Sequence, residues 1–287
     1  MFDVNLLRTF MAVVETRSFT EAGRALGLSQ STISQHIRRL EVAAGRQLLA
    51  RDTHGVAPTA DGNLMTSFAR DIVDADQRAA DYFADIAPRD RVRFGVAEDL
   101  ALTRLPGILR DFITANPLLS VELRVGLTST LYQGLDSGQL DLIFAKRRSE
   151  DDRGQTIWRE KLAWMASPHF EIDATAPLPL VLYSSSSITS ALTMDALNRA
   201  GRPWVVTCSS ETLSGLRAAT LAGLGIAAQS RLLLQQGDLV ELPATLGLPE
   251  LGEIEFVILG RSARLQGAAA ALAEVIADHG PELWATL

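Results

Sequence analysis

The stretch SFTEAGRALGLSQSTISQHIRRLE, residues 18–41, sets two short helical patterns back to back with a glycine between them. Ala22, Ala25 and Leu26 recur at helical spacing, and Thr20 stands before Glu21 as an N-cap. Gly27 ends this helix, because glycine enters the left-handed backbone that follows a last helical residue at little cost. Ser29 caps a second helix running to about Glu41, whose Ile33, Ile37 and Leu40 fall four and three apart and can pack on the first. Its other face carries Gln30, Ser31, Thr32, Ser34, Gln35, Arg38 and Arg39. Such side chains donate and accept hydrogen bonds as base edges and phosphates require. Two helices joined by a glycine turn, the second polar, describe a DNA-binding helix-turn-helix.

An ordinary helical hairpin with a solvated outer face would share the apolar spacing. Charge separates the two. From Arg24 to Arg51 the chain carries five arginines against the single Glu41, although all 287 residues together sum to −7. A basic patch within an acidic chain is the footprint of one domain that meets phosphate while the remainder does something else.

The first 62 or so residues resemble the DNA-binding domain of a LysR-type transcriptional regulator. The resemblance is carried by LLRTFMAVVETRSFTEAGRALGLSQSTISQHIRRLEVAAGRQLLARDTHGVAPTADG. The family pattern has a "SFT.AA..L..SQ..VS..I..LE" core, a "G..LF.R" stretch and a "LT.AG" start to the next helix. Here Gly23 stands where the second Ala is usual, Ser31 where Pro is common, Leu49 where Phe is usual and Pro58 for Leu. None of these removes a required polar group.

The resemblance implies a winged helix-turn-helix over residues 1–58. Gln30, Ser31, Thr32, Ser34, Gln35 and Arg38 form its DNA-facing helix. Arg46 to Pro58 hold a small hairpin with His54-Gly55 at its tip, the wing, with Arg51 and His54 as backbone contacts.

Thr59 caps a long helix reaching roughly Ile86, with Pro88 beyond, so residues 59–88 form a linker helix. Leu64, Phe68, Ile72, Ala75, Ala79, Phe83 and Ile86 form a stripe spaced three or four apart. Packing on the chain's own domains would use such a stripe, and so would a helix partner. The family resemblance favours antiparallel pairing with a second copy.

From Arg91 the texture changes to alternating strands and helices: VRFGVA, LTRLPGILRDFITANP, SVELRV, STLYQGLDSG and LDLIFAK. A second such unit runs from LPLVLYS through SALTMDALNRAG, WVVTCS, ETLSGLRAATLAG and LGIAA to EIEFVILG, and a last helix spans about Ser262 to His279. This order predicts an α/β fold with parallel sheet. It resembles the two-lobed effector domain of the same family, akin to periplasmic binding proteins, over residues 89–287. The expected lobes are 91–161 with 266–287, and 168–260, joined by crossings near Leu162–Ser167 and Gly260–Leu265.

Catalysis finds little support. The four histidines and one cysteine are scattered, and there is no GxSxG, HExxH, P-loop or GxGxxG. LAGLGIA (221–227) has one GxG but follows a helix, as a helix C-cap does. The chain is expected to be no enzyme and to need no cofactor or metal. A lone cysteine fits a reducing cytoplasm. Cys208 itself stands at a strand end before a helix, but with no second cysteine to resolve a disulfide it reads as a small buried residue. MFDVNLLRTFMAVVE bears Asp3, Arg8 and Glu15 and reads as an amphipathic helix, and no uncharged run approaches a membrane span.

Binding is better supported. Parallel sheets hold ligands at the carboxyl ends of their strands, beside helix N-termini. Four such ends are Ala97–Leu102, Leu127–Thr130, Tyr183–Ser187 and Thr207–Ser210. Among them Asp99, Leu102, Thr128, Ser129, Thr130, Ser184, Ser185, Thr207 and Ser209 are the effector-site candidates. At any one position a hydroxyl can serve simply as a helix cap; convergence on one crevice favours a ligand. In the family Thr128 matches a position that holds an effector carboxylate, whereas Asp99 falls where Ser or Thr is common. A carboxylate there repels an anion, and only Arg104, on the following helix, is at hand to offset it. Either Asp99 is turned away or protonated, or the crevice suits a small polar ligand, neutral or bearing a donor or amine, better than a dianion; the second is the expectation.

The resemblance thus implies a cytoplasmic regulator whose partners are double-stranded promoter DNA, a small-molecule effector and itself. It would be a dimer through the linker helix and a tetramer through its effector domains, with RNA polymerase as a further partner and no membrane. The rival reading is a small-molecule sensor that uses its helix-turn-helix for protein contact.

Overall fold

The computed structural model describes residues 2–52, 55–83, 90–148, 151–173, 176–184, 187–262, 265–280 and 283. The chain forms two compact units, residues 1–89 with 136–139, and residues 90–135 with 140–287.

The first unit opens with α1 (Val4–Thr16), α2 (Phe19–Leu26) and α3 (Gln30–Ala44). The strand pair β1 (Leu49–Asp52) and β2 (Gly55–Pro58) follows, then α4 (Ala60–Phe83). Helix α2 starts earlier than Thr20 predicts: Ser18 is the N-cap, its hydroxyl accepting the Glu21 N–H. Ser18 stands two residues before Thr20 and caps the helix with its hydroxyl, while the Glu21 carboxylate pairs with Arg24 at 2.5 Å. The buried face of α2 is Phe19, Ala22 and Gly23, not Ala25 and Leu26, which are exposed. Ser29 caps α3 as expected, accepting the Thr32 N–H, and Gly27 and Gly45 close α2 and α3 at φ 65° and 64°.

Ile33, Ile37 and Leu40 of α3 join Leu7, Phe10 and Val13 of α1 in one small core, which Met65 and Ala69 of α4 complete. Two polar contacts lock the wing to it. The Glu41 carboxylate accepts the Leu48 and Leu49 N–H groups at 2.9 and 3.2 Å. Thr59 caps α4 through the Gly62 N–H at 3.0 Å. Gly62 must stay a glycine, since a Cβ there would sit 2.0 Å from the Leu48 carbonyl oxygen.

The second unit has two lobes. In chain order its elements are β3 (Asp90–Ala97), α5 (Leu105–Ala115), β4 (Leu119–Gly126), α6 (Thr128–Asp136) and β5 (Leu142–Lys146). Next come β6 (Gln155–Lys161), β7 (Ala163–Ala166), β8 (Leu178–Tyr183), α7 (Ile188–Arg199) and β9 (Trp204–Ser210). Then α8 (Leu213–Leu221), β10 (Ala227–Gln229), β11 (Val240–Glu241), β12 (Glu253–Gly260) and α9 (Gly267–Asp278) complete it. The first lobe's sheet has the order β4-β3-β5-β12-β6. Its β3 is parallel to β4 and β5, while β12 runs antiparallel to β5 and β6. The second lobe joins parallel β8 and β9 to the antiparallel set β10-β7-β11 through a bridge between Leu180 and Ile226.

This topology corrects the expected lobe limits. The first crossing is a single residue, Leu162, between β6 and β7. The second lies between β11 and β12, not near Gly260–Leu265, because EIEFVILG pairs inside the first lobe's sheet rather than the second's. Strand β12, inserted antiparallel between β5 and β6, also makes that sheet mixed, where alternation of strand and helix predicts a parallel one. QTIWREK and AWMA flank the crossing as two separate strands that no turn residue announces.

Arg93 of β3 is 6% exposed and anchors the first lobe. Its guanidinium donates to both Asp141 oxygens at 3.0 and 2.7 Å, and its backbone N–H to one of them at 2.9 Å. Burial alone would raise the Asp141 pKa, but these bonds and the Arg93 charge outweigh it and hold the carboxyl below its usual range. Asp141→Ala removes the carboxylate that pairs with a buried cation, so it should destabilise this unit by about 3–5 kcal/mol, read as a lower urea midpoint. The carboxyl's folded pKa is depressed, so its stabilisation is present above about pH 4 and is lost as pH falls through the folded value. The gap between wild type and variant should therefore hold from neutral to mildly acidic pH and close only in stronger acid.

Candidate nucleic-acid interface and interlobe crevice

Helix α3 keeps its apolar residues inside and turns the rest outward. Gln30, Ser31, Gln35, Arg38 and Arg39 are exposed, and Thr32 and Ser34 are half-buried. Gln30, Ser34 and Arg38 follow one another at four-residue steps along one face, spanning roughly 12 Å of helix axis. That length matches the width of a DNA major groove. At its start the Ser29 hydroxyl lies 2.8 Å from those of both Ser31 and Thr32, so these two are held in place by the cap. His36 is structural: its Nδ1 is 2.9 Å from the Thr9 hydroxyl of α1. Of the wing candidates, Arg51 lies on β1, but its side chain, like the whole of His54, lies outside the described residues.

On α4 the sequence stripe divides. Met65, Thr66 and Ala69 are buried within the unit, whereas Leu64, Phe68, Ile72 and Phe83 are 61%, 62%, 36% and 86% exposed. Ile86 lies outside the described residues. A helix with this much exposed apolar surface on one side presents a seam rather than a solvated face.

In the second unit a crevice opens where strands of both lobes end. Asp99 and Glu98 come from the end of β3, Thr128 from the start of α6, Lys146 from the end of β5, and Tyr183 and Ser187 from between β8 and α7. The cavity left is about 20 Å³, room for one water-sized molecule. Two polar links draw the lobes together across it. Glu98 accepts the Leu213 N–H, at the first residue of α8, at 2.6 Å, and it also receives the Tyr183 hydroxyl. Burial, then the nearby Asp99 and Glu98 charges, push the Tyr183 phenol far up, so it stays a protonated donor.

Asp99, 4% exposed, forms an ion pair with Lys146, whose ammonium also stands 5.3 Å from the centre of the Phe256 ring. Lys146 is the residue that sequence reasoning missed. The one signal for it is a lysine ending the otherwise buried strand LIFAK. It also changes the electrostatics expected of Asp99, because that carboxylate is paired with a cation; the other carboxylate of the lining, Glu98, is engaged by the Leu213 N–H and the Tyr183 hydroxyl. Arg104 does not take this part; it lines a separate groove with His279 between α5 and α9.

Among the candidates, Asp99 and Thr128 come together in the crevice. Ser129 and Thr130 follow in the first turn of α6 without lining it. Leu102 and Ser184 are exposed and outside the lining, and Ser185 lies outside the described residues. Thr207 and Ser209 sit on the edge strand β9 away from the cavity. The Thr207 hydroxyl is turned to its own lobe's carbonyls, Leu224 at 2.5 Å and Leu180 at 3.1 Å. Cys208, partly buried, packs on the second lobe's small core.

A helix-turn-helix unit followed by a two-lobed α/β unit with an interlobe crevice defines a DNA-binding regulator with a ligand-sensing domain. The comparisons make the class specific. Residues 4–63 match the family described as bacterial regulatory helix-turn-helix protein, lysR family, and residues 86–281 match the LysR substrate binding domain. The chain belongs to the LysR family of transcriptional regulators, which are DNA-binding regulators and not enzymes.

It is 30% identical to the HTH-type transcriptional regulator PecT of Dickeya dadantii, over 89% of this chain and 81% of that protein. It is 31% identical to the HTH-type transcriptional regulator DgdR of Burkholderia cepacia, over 80% of this chain and 78% of that one. Its fold is shared with ArgP from Mycobacterium tuberculosis, at a TM-score of 0.69 and 18% identity over 99% of both chains. Vibrio fischeri DarR, solved in complex with DNA, matches at a TM-score of 0.55 and 19% identity over 97% of this chain and 99% of that one. No helix among the described residues is long and apolar enough to cross a membrane.

The Glu98 links can be tested directly. Glu98→Ala should lower the stability of the second unit by about 1.5–3 kcal/mol, the range for hydrogen bonds to a charged group. Chemical denaturation of the full chain, followed by tryptophan fluorescence, reads this out, and an unchanged midpoint would mean the lobes are held without Glu98.

Proposed function

We propose that this regulator reads promoter DNA with Gln30, Ser31, Thr32, Ser34, Gln35 and Arg38 in the major groove, while its wing, with Arg51 and His54, lies on the phosphate backbone. The observation that carries the reading is the exposed polar face of α3, backed by a buried Ile33-Ile37-Leu40 face that leaves it no packing role. Two copies join along the Leu64-Phe68-Ile72 face of α4, which supports a paired reading head on a two-fold symmetric site. Edge strands β4 and β9 expose Leu123 and Val125, and Val205 and Val206, at 44–49%, which supports further assembly to a tetramer through the effector domains. A small-molecule effector binds in the interlobe crevice at Asp99, Thr128 and Lys146. Its binding shifts the placement of the DNA-binding pairs, and RNA polymerase at the same promoter is the further partner. The protein acts in the cytoplasm.

Gel-shift titration on the chain's own promoter region tests the first step. Affinity should fall steeply with salt, and Arg38→Ala should cost about 1–3 kcal/mol and relax preference at one base pair. Binding that ignores both salt and Arg38 would remove α3 as the reading helix.

Phe68→Glu puts a charge into the α4 seam. The full-length variant should sediment at a lower mass than wild type, whereas an unaltered assembly would mean that this face is not where copies meet.

A further inference from the structure

The crevice holds a buried ion pair with one loose end. Lys146 takes one oxygen of Asp99, and the other, Oδ1, is buried with no hydrogen-bond partner among the described residues. The same cavity is bordered by the first turns of α6 and α7, through Thr128 and through Ile188 and Thr189. Backbone N–H groups in a helix's first turn lack intrahelical partners and favour negative charge.

Resting on the reading of this crevice as the effector site, we infer that its ligand is a small zwitterion of the α-amino-acid type, which enters by splitting the Asp99–Lys146 pair. The ammonium group replaces Lys146 on Asp99 and, with three donors, also serves the unpartnered Oδ1. The carboxylate replaces Asp99 on Lys146 and lies against the first turns of α6 and α7.

The choice follows from what each simpler ligand would leave behind. A carboxylic acid can recruit Lys146 only by stranding Asp99 as a buried, uncompensated anion near Glu98. An amine can recruit Asp99 only by leaving Lys146 without its hydrogen-bonded partner, beside the Phe256 ring and with no more than the neighbouring Glu160 charge to offset it. Breaking a buried pair from one side is strongly unfavourable, whereas replacing both partners at once keeps every charge paired. The 20 Å³ left between the lobes holds no more than a water-sized molecule, so even glycine enters only as the pair separates and the lobes part, which favours a compact head.

Calorimetric titration of the full-length protein tests this with matched sets: both enantiomers of alanine and serine, and glycine, each against its deaminated acid and its decarboxylated amine. Propionate and ethylamine are the set for alanine, 3-hydroxypropionate and ethanolamine for serine, and acetate and methylamine for glycine. One of the zwitterions should bind, and its own acid and amine should bind about tenfold or more weakly.

Asp99→Asn and Lys146→Met should each abolish the zwitterion's binding. Because a single substitution can also unsettle the lobe, the double variant is the decisive one. Removing a whole buried pair is often neutral for stability, so this variant should fold and still not bind.

An acid or an amine that matches its zwitterion's affinity, and loses it in the same variants, would overturn the inference while keeping the crevice as the site. A ligand bound equally by wild type and the double variant would overturn the crevice reading itself. Absence of binding by the whole panel at about 10 mM, where even weak complexes saturate, would overturn the zwitterion.

Discussion

The Asp99–Lys146 pair is the interaction on which the effector unit's layout turns. Two opposite charges this far from water are tolerable only together, so the ends of β3 and β5 must stay in register for each to find the other. That register is set by the parallel pairing of Phe94, Gly95 and Val96 with Leu142, Ile143 and Phe144. Glu98, next to Asp99, then reaches across to the first residue of α8 and to Tyr183. One strand end therefore carries both the charge pair that defines the crevice floor and the link that draws the second lobe over it. Glu160 of β6 shares this field: burial above all, and then the Asp99 charge, raise its pKa, while Ser230 of the second lobe hydrogen-bonds it.

The first unit solves a different problem with the same economy of surface. It is small, so each helix can bury only one narrow stripe, and each leaves the other face for a partner. For α3 that outer face is hydroxyl, amide and guanidinium; for α4 it is leucine, phenylalanine and isoleucine. Glu41 shows how the two demands are kept apart. It is the acid within the arginine-rich stretch, and its carboxylate is spent on wing backbone N–H groups, where it does little to oppose phosphate at the helix surface.

What the sequence made legible follows from the range of the interactions concerned. Caps, glycine turns and the apolar spacing of α3 are local, each decided within four or five residues, and Ser29, Gly27 and Thr59 can be read without a structure. The start of α2 is less legible because two hydroxyl residues, Ser18 and Thr20, can each cap it, and Ser18 does. The lobe that receives β12 is decided by partners more than 90 residues away, and its apolar run, Ile254 and Phe256 to Leu259, would suit either sheet. Lys146 is 47 residues from Asp99, so no spacing rule joins them. Thr207 and Ser209 have the right chemistry at a strand end, but β9 is an edge strand, and edge position is a property of the sheet, not of the segment.

The two crossings give the unit its mechanical character. Leu162, a single residue, separates strands that belong to different lobes, and its N–H donates to the Gly252 carbonyl of the returning chain at 3.2 Å. Gly252 sits at φ +85°, a left-handed backbone that glycine adopts without strain. Rigid sheets lie on either side of both residues, so relative motion of the lobes must be absorbed as dihedral change in this adjacent pair of segments. Besides that hinge, the Glu98 links and the shared burial around Asp99 and Lys146 hold the lobes together at the crevice. A ligand that rearranges the charge pair therefore acts on the contacts that hold the lobes closed, and the hinge converts that local exchange into a change of angle between two otherwise unaltered bodies.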